Sequence, residues 1–337
     1  MNIKRNKTYI IAEIGINHEG SFKKATKLIK EASISGADAV KFQIFKPETL
    51  ASKKSQKTSE QKKRTKKKEN LYLMWKRMEF TLPQWKKLRS LSNKLKLDFI
   101  SSVFDRESFE IAKKINLSAY KVASSDLTDV KLLKDLKYQI KPIIISTGMG
   151  SASEIKNSLG ILKKKEIYLL HCVSLYPCPP DLINLKRMNS LSLMFKKEVG
   201  YSDHSIGINS ALASISMGAK ILEVHFTLNK NQKGADHELS SDPKDLRIIS
   251  DYANKYYNLL GNGKIEPSIT EKKMRKHFRK SIFAKKNILV NEILTETNIV
   301  CRRPQISIKS ENYFKIINKK AKKKILANQP INRNDIK

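Results

Sequence analysis

YIIAEIGINHEG, residues 9–20, is the stretch that decides between two α/β folds for this chain. Its YIIAEIG half is apolar and rich in β-forming side chains, as expected for a buried strand. An open, doubly wound sheet that binds a dinucleotide would follow such a strand with the glycine pattern G-x-G-x-x-G, which is absent here. The rival fold is a closed (β/α)8 barrel, in which strand and helix alternate eight times.

Strand-like and helix-like runs alternate regularly over the first 260 residues. Amphipathic stretches with helical period, such as SFKKATKLIKEASISG and SASEIKNSLGILKK, separate the apolar runs. This order predicts a (β/α)8 TIM barrel over residues 1–262. The apolar runs are YIIAEIG (9–15), AVKFQIF (39–45), DFISSVF (98–104), AYKVAS (119–124), PIIISTG (142–148), EIYLLHCVS (166–174), EVGYSDHS (198–205) and AKILEVHFT (219–227).

Other segments depart from this alternation. Residues 53–69, KKSQKTSEQKKRTKKKE, form a lysine-rich insertion for which we predict a solvated, mobile loop, with a lid over an anionic ligand as the alternative. The polar residues 263–279 include Pro267 and are typical of a linker. Residues 280–337 contain short apolar runs between turn residues, which predicts a small, mostly β domain in which TETNI and NRNDI form helical turns.

The net charge of the chain is +35, from 67 basic and 32 acidic residues. Such an excess is typical of nucleic-acid-binding proteins. Here, however, the lysines are scattered through every segment and no RNP-like or helix-turn-helix pattern occurs, so we expect the positive field to attract an anionic substrate instead. No apolar run is long enough for a membrane span or a secretory signal. Cys172, Cys178 and Cys301 form no CxxC pair, which fits free thiols in a reducing cytoplasm.

Polar residues accumulate where the predicted strands end. Catalytic groups of a TIM barrel come from these C-terminal ends and from the loops that follow them. A barrel with a purely structural role could hold one or two such groups, but each buried polar group needs a partner, so the full set indicates a site. The set includes Glu13, Lys41, Ser102, Lys121, Ser124, Ser146, Ser174, Tyr176, Ser202, His204, Glu223 and His225.

Two lysines in this set indicate the charge of the ligand. Lys41 and Lys121 lie inside predicted strands, where burial lowers the pKa of a lysine unless an anion compensates. One interpretation is that a lysine pairs with Glu13 or Glu223. The serine hydroxyls at the neighbouring strand ends favour a small dianion or trianion, because hydroxyls and lysines together bind phosphate and carboxylate groups.

Two histidines indicate a metal. His204 and His225 close the seventh and eighth predicted strands, which are neighbours in a barrel, so their imidazoles can converge at its mouth. With positions left open for water and substrate, two nitrogen ligands suit Mn²⁺, Mg²⁺ or Zn²⁺ acting as a Lewis acid. From spacing alone, a hydrogen-bonded structural histidine or a general base remains open.

The strand-end motifs resemble those of the sialic acid synthase family, whose members make nonulosonic acids such as N-acetylneuraminate. The resemblance covers nearly the whole chain and implies a (β/α)8 barrel followed by a small antifreeze-like (SAF) domain. It also implies a homodimer in which the SAF domain of one subunit covers the barrel of the other. The matching motifs are AEIGINHEG, VKFQ, YKVASSDL, ISTGM, LLHCVSLYP, GYSDHSIG, LEVHFTL, GADHELSSDP and CRRP.

The resemblance further implies a transferase that condenses phosphoenolpyruvate with N-acetylmannosamine, or a close amino-sugar aldehyde, by C–O cleavage. It places Glu13 beside the reacting carbons, and a divalent metal, usually Mn²⁺ with Mg²⁺ or Co²⁺ as substitutes, on His204 and His225. It assigns the binding of phosphoenolpyruvate to Lys41, Ser102, Lys121, Ser124, Ser146 and Ser202. Phe104 lies beside the reactants, Tyr176, Glu223 and Asp236 face the sugar, and Arg303 reaches the sugar's N-acyl group across the dimer.

Several positions depart from the family pattern. Ser125 and Asp126 stand where many members have a Gly-Glu pair, so Asp126 is expected at the sugar with a shorter reach. Ser174 stands where an asparagine often contacts phosphoenolpyruvate, Val224 replaces a frequent arginine, and Arg64 stands where an active-site asparagine often lies. These departures leave open a 2,4-diacetamido sugar, which gives legionaminate, or a 6-phosphorylated N-acetylmannosamine.

More distant alternatives explain less of the sequence. A Schiff-base aldolase could use Lys121 as its nucleophile, but the paired histidines and the serines would then have no role. A nucleic-acid-binding protein built on a barrel would show steeply salt-dependent DNA binding.

Overall fold

The computed structural model describes residues 1, 3, 7–163 and 166–337. They form two compact units, Met1–Gly261 and Asn262–Lys337. In the first unit, the described residues contain eight parallel strands that close into a barrel in sequence order, which confirms the predicted TIM barrel. The strands are β1 (Tyr9–Gly15), β2 (Ala39–Ile44), β3 (Asp98–Val103), β4 (Ala119–Val122), β5 (Ile143–Ser146), β6 (Ile167–His171), β7 (Glu198–Asp203) and β8 (Ile221–His225).

Helices surround the barrel, and each strand is followed by at least one of them. Most begin at a Ser, Thr, Asp or Asn whose side chain accepts a hydrogen bond from the first turn, for example Ser21, Asp105 and Ser151. None of the helices in the described part of the chain is both long and apolar enough to cross a membrane. The helices are α1 (Phe22–Ile34), α2 (Pro47–Leu50), α3 (Ser59–Thr65), α4 (Leu71–Met78), α5 (Leu82–Lys94), α6 (Arg106–Ile115), α7 (Val130–Leu136), α8 (Ala152–Leu162), α9 (Arg187–Phe195), α10 (Asn209–Ser216) and α11 (Pro243–Leu260).

The barrel interior has an apolar floor beneath a polar mouth. Side chains two positions apart on a strand face the same side, so each mouth residue follows a floor residue by two. Ile11 is thus followed by Glu13, and Ile144 by Ser146. The floor packs as one buried cluster of Tyr9, Ile11, Ala39, Ile100, Ala119, Ile144, Leu170 and Ile221. The floor fills the barrel beneath the mouth, so a ligand reaches the polar residues from the C-terminal ends of the strands.

The lysine-rich insertion 53–69 is more ordered than the mobile loop we predicted. Residues Ser59–Thr65 form α3, which begins with a capping box between Thr58 and Gln61. The side chain of Lys57 is buried and donates to Thr65 Oγ1 at 2.9 Å and to the carbonyl of Lys67 at 2.8 Å. The capping box satisfies backbone N–H groups at the start of α3 without any apolar periodicity. The lysine-rich sequence therefore did not indicate a helix.

The second unit contains the antiparallel pair β9 (Ser281–Ala284) and β10 (Ile299–Arg302) and the short helix α13 (Tyr313–Ile316). The predicted linker 263–279 is instead mainly a helix, α12 (Ile269–Phe278), capped by Ser268 and Glu271. NRNDI contains a 3-10 turn at Arg333–Asp335 as predicted, and TETNI forms a single helical turn in which the backbone N–H groups of Asn298 and Ile299 donate to the carbonyl of Thr295. A separate cluster of buried isoleucines and smaller residues forms the core of this unit.

Candidate active site

The mouth of the barrel holds a cavity of about 340 Å³, here called the inner cavity. Strand register brings its residues together: Glu13 on β1 lies opposite Lys41 on one side and His225 on the other. Ser102 pairs with Lys121, and Ser202 with Glu223. Most of the predicted site residues line the inner cavity, namely Glu13, Lys41, Ser102, Phe104, Lys121, Ser124, Ser146, Ser174, Tyr176, Ser202, His204, Glu223 and His225.

Lys41 forms a buried ionic network with two carboxylates. Its Nζ lies 2.9 Å from Glu13 Oε2 and 3.6 Å from Glu223 Oε1, and it donates to Ser102 Oγ at 3.3 Å. Burial acts to lower the pKa of Lys41, but the charges of Glu13 and Glu223 outweigh it and raise the pKa. The pairing that we had set against an anion-binding role for the lysines is therefore present at Lys41.

Glu223 is held ionised by its neighbours. Burial acts to raise the pKa of this carboxyl group, but the charges of Lys121 and Lys41 lower it to about 2. Its Oε1 also accepts a hydrogen bond from Ser202 Oγ at 3.0 Å. Its Oε2 is enclosed and has no hydrogen-bond partner among the described residues. A buried carboxylate oxygen without a donor indicates a place for a ligand hydroxyl or water.

Lys121 has no such compensation. Its side chain is buried, and within the described residues no carboxylate lies within ion-pair distance of its Nζ. It donates to Ser146 Oγ at 2.5 Å and to the carbonyl of Val122 at 3.3 Å. Burial lowers its pKa, and the charge of Glu223 offsets this only in part. A buried ammonium with neutral partners fits a site that an anionic ligand completes.

The lowered pKa of Lys121 leads to a pH prediction. A lysine with a depressed pKa loses its proton at a lower pH than a free lysine, so affinity for an anion falls as the pH rises through that value. For phosphoenolpyruvate, the anion that the resemblance implies, we expect kcat/KM, which reports on the free enzyme, to decline on the alkaline side before ordinary lysines titrate. Initial-rate profiles would show this decline, and Lys121→Arg should shift it to higher pH. An identical profile in the arginine variant would contradict the assignment.

Small side chains form one wall of the inner cavity around Gly148. Its backbone N–H donates to Ser124 Oγ at 3.1 Å, and Cys172 Sγ lies 3.1 Å from the same hydroxyl. A Cβ at Gly148 would come within 2.5 Å of Ser174 Oγ, so only glycine fits here. Ser174 Oγ is buried without a hydrogen-bond partner among the described residues. These hydroxyls can therefore donate to an anion held by Lys121.

His204 and His225 face each other with ring centroids 5.5 Å apart. His204 Nδ1 lies 2.7 Å from the carbonyl of Val173. Because a carbonyl only accepts, Nδ1 carries the proton and Nε2 keeps its lone pair. Burial, together with the charge of His225, lowers the pKa of His204 to about 3, so this imidazole is neutral. His225 Nδ1 is buried, has no hydrogen-bond partner among the residues that the structure describes and lies 3.6 Å from Asp236 Oδ2.

These imidazoles fit the requirements of a metal site with open positions. A neutral ring with a free lone pair is the ligand form of histidine. Ser202 Oγ lies 3.4 Å from His204 Nε2 and 3.0 Å from Glu223 Oε1, and its single proton goes to the nearer carboxylate, so the lone pair of Nε2 is available to a metal. No cluster of three or more His, Cys, Asp or Glu side chains in the described chain has ligating geometry. An ion here would take its other ligands from water and substrate.

A larger space of about 610 Å³, here called the outer cavity, adjoins the inner one. Gln43, Ser174, Tyr176 and His225 line both cavities, whereas Ile16, Arg64, Trp75 and Asp236 line only the outer one. The ring of Tyr176 stacks on His204 at 4.1 Å between centroids and meets His225 edge-on at 5.8 Å. Tyr176 therefore covers the histidines at the boundary between the two cavities.

Asp126 and Arg303 are not brought into this arrangement. Asp126 belongs to the 3-10 turn Ser124–Asp126, where its carboxylate accepts from Ser125 Oγ at 2.7 Å. Ser124 and Ser125 line the inner cavity and Asp126 does not, so its contact with the sugar stays a prediction. Arg303 lies in the second unit, where its Nε donates to the carbonyl of Phe278 at 2.8 Å. Its contact with a sugar across a dimer stays a prediction.

Some lining residues were missed at the sequence level. Gln43 donates from Nε2 to Glu13 Oε1 at 3.0 Å and orients that carboxylate. It follows Lys41 by two positions, so strand alternation could have identified it. Met149 and Cys172 also line the inner cavity. Nothing in their residue types points to chemistry, and only the packing around Gly148 reveals Cys172.

Comparisons with known proteins agree with this geometry. A sequence model of the NeuB family matches residues 28–265, and one of the SAF domain matches residues 279–337. An N,N'-diacetyllegionaminic acid synthase of Campylobacter jejuni is 39% identical over 94% of this chain and 96% of its own length. The synthase of the same name from Legionella pneumophila is 33% identical over 92% of this chain and 89% of its own. The crystal structure of a sialic acid synthetase from Leptospira borgpetersenii in complex with citrate superposes with a TM-score of 0.70 at 33% identity, covering 80% of this chain and 90% of that one.

Proposed function

Since this chain belongs to the NeuB family, we propose that it condenses phosphoenolpyruvate with the open-chain aldehyde of an N-acylated amino sugar. The products are a nonulosonic acid and phosphate. The observation that carries this proposal is the buried ammonium of Lys121, which has no direct carboxylate partner among the described residues, in the same cavity as the neutral imidazole of His204. An anion-binding cation beside a candidate Lewis-acid site matches the two reactants of such a condensation.

Phosphoenolpyruvate has a carboxylate and a phosphate, and the inner cavity offers donors for both. Lys121 supplies the positive charge, and the hydroxyls of Ser124, Ser146 and Ser174 belong to residues that line the same cavity. Lys41 adds a second cation, although Glu13 and Glu223 already neutralise it. We therefore assign the larger share of anion affinity to Lys121.

His204 and His225 would hold a divalent metal ion, Mn²⁺ or alternatively Mg²⁺ or Co²⁺, which polarises the aldehyde carbonyl when bound. Both rings are buried, and the Val173 carbonyl fixes the tautomer of His204. Such second-shell hydrogen bonds orient a ligating imidazole. Asp236, near the other ring, would do the same for His225.

The bond changes then follow from the placement of the charged groups. C3 of phosphoenolpyruvate forms a bond to the aldehyde carbon, and positive charge develops at C2. The carboxylate of Glu13, oriented by Gln43 and buried beside Lys41, stabilises that charge electrostatically. Water adds at C2, and the resulting tetrahedral intermediate loses phosphate by cleavage of the C–O bond. The enclosed mouth holds both reactants in one geometry, which removes much of the entropic cost of their encounter.

For the sugar, we propose a 2,4-diacetamido aldose, which would give an N,N'-diacetyllegionaminate-type product. Support comes from the two relatives of that name, at 39% and 33% identity. N-acetylmannosamine, giving N-acetylneuraminate, is the second candidate, supported by the structural likeness to a sialic acid synthetase. The outer cavity, next to the histidines, has room for either sugar.

The test is phosphate release from phosphoenolpyruvate with a panel of aldoses, with and without added Mn²⁺. We expect release with the 2,4-diacetamido aldose and a product whose mass is the sum of the aldose and pyruvic acid. With ¹⁸O in the bridging C–O–P position, C–O cleavage keeps the label in the released phosphate. Absence of release with every aldose would overturn the proposed function, and label in the organic product would overturn the cleavage step.

A further inference from the structure

Arg64, on α3 of the lysine-rich insertion, reaches the outer cavity. Its Nη2 donates to the backbone carbonyl of Tyr176 at 2.9 Å, and its Nε lies 3.5 Å from the carbonyl of Glu60. Its Nη1 is buried and has no hydrogen-bond partner in the described part of the chain. Among the described residues, no carboxylate forms an ion pair with this guanidinium.

A buried N–H without an acceptor is unfavourable. The structure nevertheless holds this guanidinium in place, because Nη2 donates to the backbone carbonyl of Tyr176, whose ring stacks on His204. Arg64 lines the outer cavity, and a fixed guanidinium with one unpaired terminal nitrogen is suited to an acceptor that arrives with the ligand. We infer that Arg64 donates from Nη1 to an N-acyl carbonyl oxygen of the aldose and thereby determines which sugars are accepted. This inference rests on the proposed function.

The charge of the outer cavity favours a neutral carbonyl over a phosphate. Besides Arg64, the charged side chains that line it are the carboxylates of Glu60 and Asp236. A phosphate dianion would meet two negative groups and one positive group, whereas an amide carbonyl accepts a hydrogen bond without adding charge. Trp75 and Ile16 supply apolar surface for the methyl group of an acetamide.

The position of Arg64 also selects which acyl group it would meet. The aldehyde carbon must reach phosphoenolpyruvate in the inner cavity, so the far end of the sugar occupies the outer cavity. An acylamido group on C2 is adjacent to the aldehyde, whereas one on C4 is two carbons farther away. Arg64 lines only the outer cavity. The C4 acylamido group is therefore the partner that this geometry provides, and Arg64 discriminates 2,4-diacetamido aldoses from 2-acetamido aldoses.

The experiment compares Arg64→Met and Arg64→Lys with the wild type and with Lys63→Met, a control that removes one exposed charge from the same helix. KM and kcat are measured with a 2,4-diacetamido aldose, the matching 2-acetamido aldose and a 6-phosphorylated aldose at saturating phosphoenolpyruvate. We expect Arg64→Met to raise KM for the diacetamido aldose at least about tenfold and that for the 2-acetamido aldose less than about threefold, as loss of one charge-assisted hydrogen bond requires. Lys63→Met should match the wild type.

Each outcome bears on the inference. Equal losses with both aldoses, or no change in an active Arg64→Met enzyme, would overturn it. A loss confined to the 6-phosphorylated aldose would assign Arg64 to a phosphate and also overturn it. If Arg64→Met does not fold, Arg64→Lys still tests the inference. Its shorter, non-planar cation should raise KM selectively for the diacetamido aldose. A wild-type enzyme inactive with every aldose would overturn the proposed function and this inference with it.

Discussion

Replacing His204 or His225 by alanine will reduce phosphate release from phosphoenolpyruvate and aldose by about a thousandfold or more. The reason is that each ring would supply one of the two protein ligands of the proposed metal ion, so either change empties the site. A Lewis acid contributes several kcal/mol to the stabilisation of charge, and about 4 kcal/mol corresponds to a thousandfold in rate. Initial rates at saturating substrates, with EDTA and with Mn²⁺ restored, measure the loss.

His277→Ala is the matched control, because this histidine is exposed on α12 in the second unit. It should keep the wild-type rate. Metal content after dialysis provides a readout independent of turnover: the wild type should retain Mn²⁺ and the His204 and His225 variants should not. A His204 or His225 variant that keeps the wild-type rate in EDTA would show that the histidines do not act through a metal.

Lys41→Met should destabilise the fold more than Lys121→Met, although both variants should bind phosphoenolpyruvate less well. Removing Lys41 leaves Glu13 and Glu223 buried without their direct ion-pair partner, which costs about 3–5 kcal/mol. Removing Lys121 takes away a buried charge that has no direct ion-pair partner in the described chain, but it also removes a charge that keeps Glu223 ionised, so we expect a smaller loss, below about 2 kcal/mol.

Urea unfolding in the absence of phosphoenolpyruvate measures the stability difference. Steady-state kinetics measure the effect on substrate binding separately. Lys121→Met should raise KM for phosphoenolpyruvate about 10- to 100-fold, the loss expected for charge-assisted hydrogen bonds. If the two variants were destabilised equally, the asymmetry between the lysines would be wrong. If Lys121→Met kept the wild-type KM, the anion would have to bind elsewhere.

Alternation along the strands made much of the inner cavity predictable. A polar residue two positions after an apolar one, as Glu13 follows Ile11, must lie above it on the inner face of a barrel strand. The same rule explains why Asp203, next to Ser202, faces outward, where it accepts hydrogen bonds from Ser205 and Ser210. The residue type alone does not reveal which of two neighbouring polar residues faces the barrel interior.

Contacts made by loops were not predictable in this way. The insertion appeared mobile because charge dominates its composition, yet Thr58 starts a helix there that carries Arg64 to the carbonyl of Tyr176. Asp126 was expected at the sugar, and the sequence did not indicate the 3-10 turn in which its carboxylate accepts a hydrogen bond from Ser125. Local hydrogen bonds that cap or tighten a turn leave only a weak periodic signal in the sequence.

The sequence by itself determined the closed barrel, the small domain after it and the set of strand ends from which the site is built. Periodicity and residue order carry that information because each strand and helix is specified by its own neighbours in the chain. Only the tertiary structure decided that Lys41 is neutralised by two carboxylates while Lys121 is left without one. Barrel closure pairs β1 with both β2 and β8 and so brings Glu13 and Glu223 to the same lysine. Residues so far apart in the chain meet only when the sheet closes, and their spacing along the sequence does not reveal which charges will cancel.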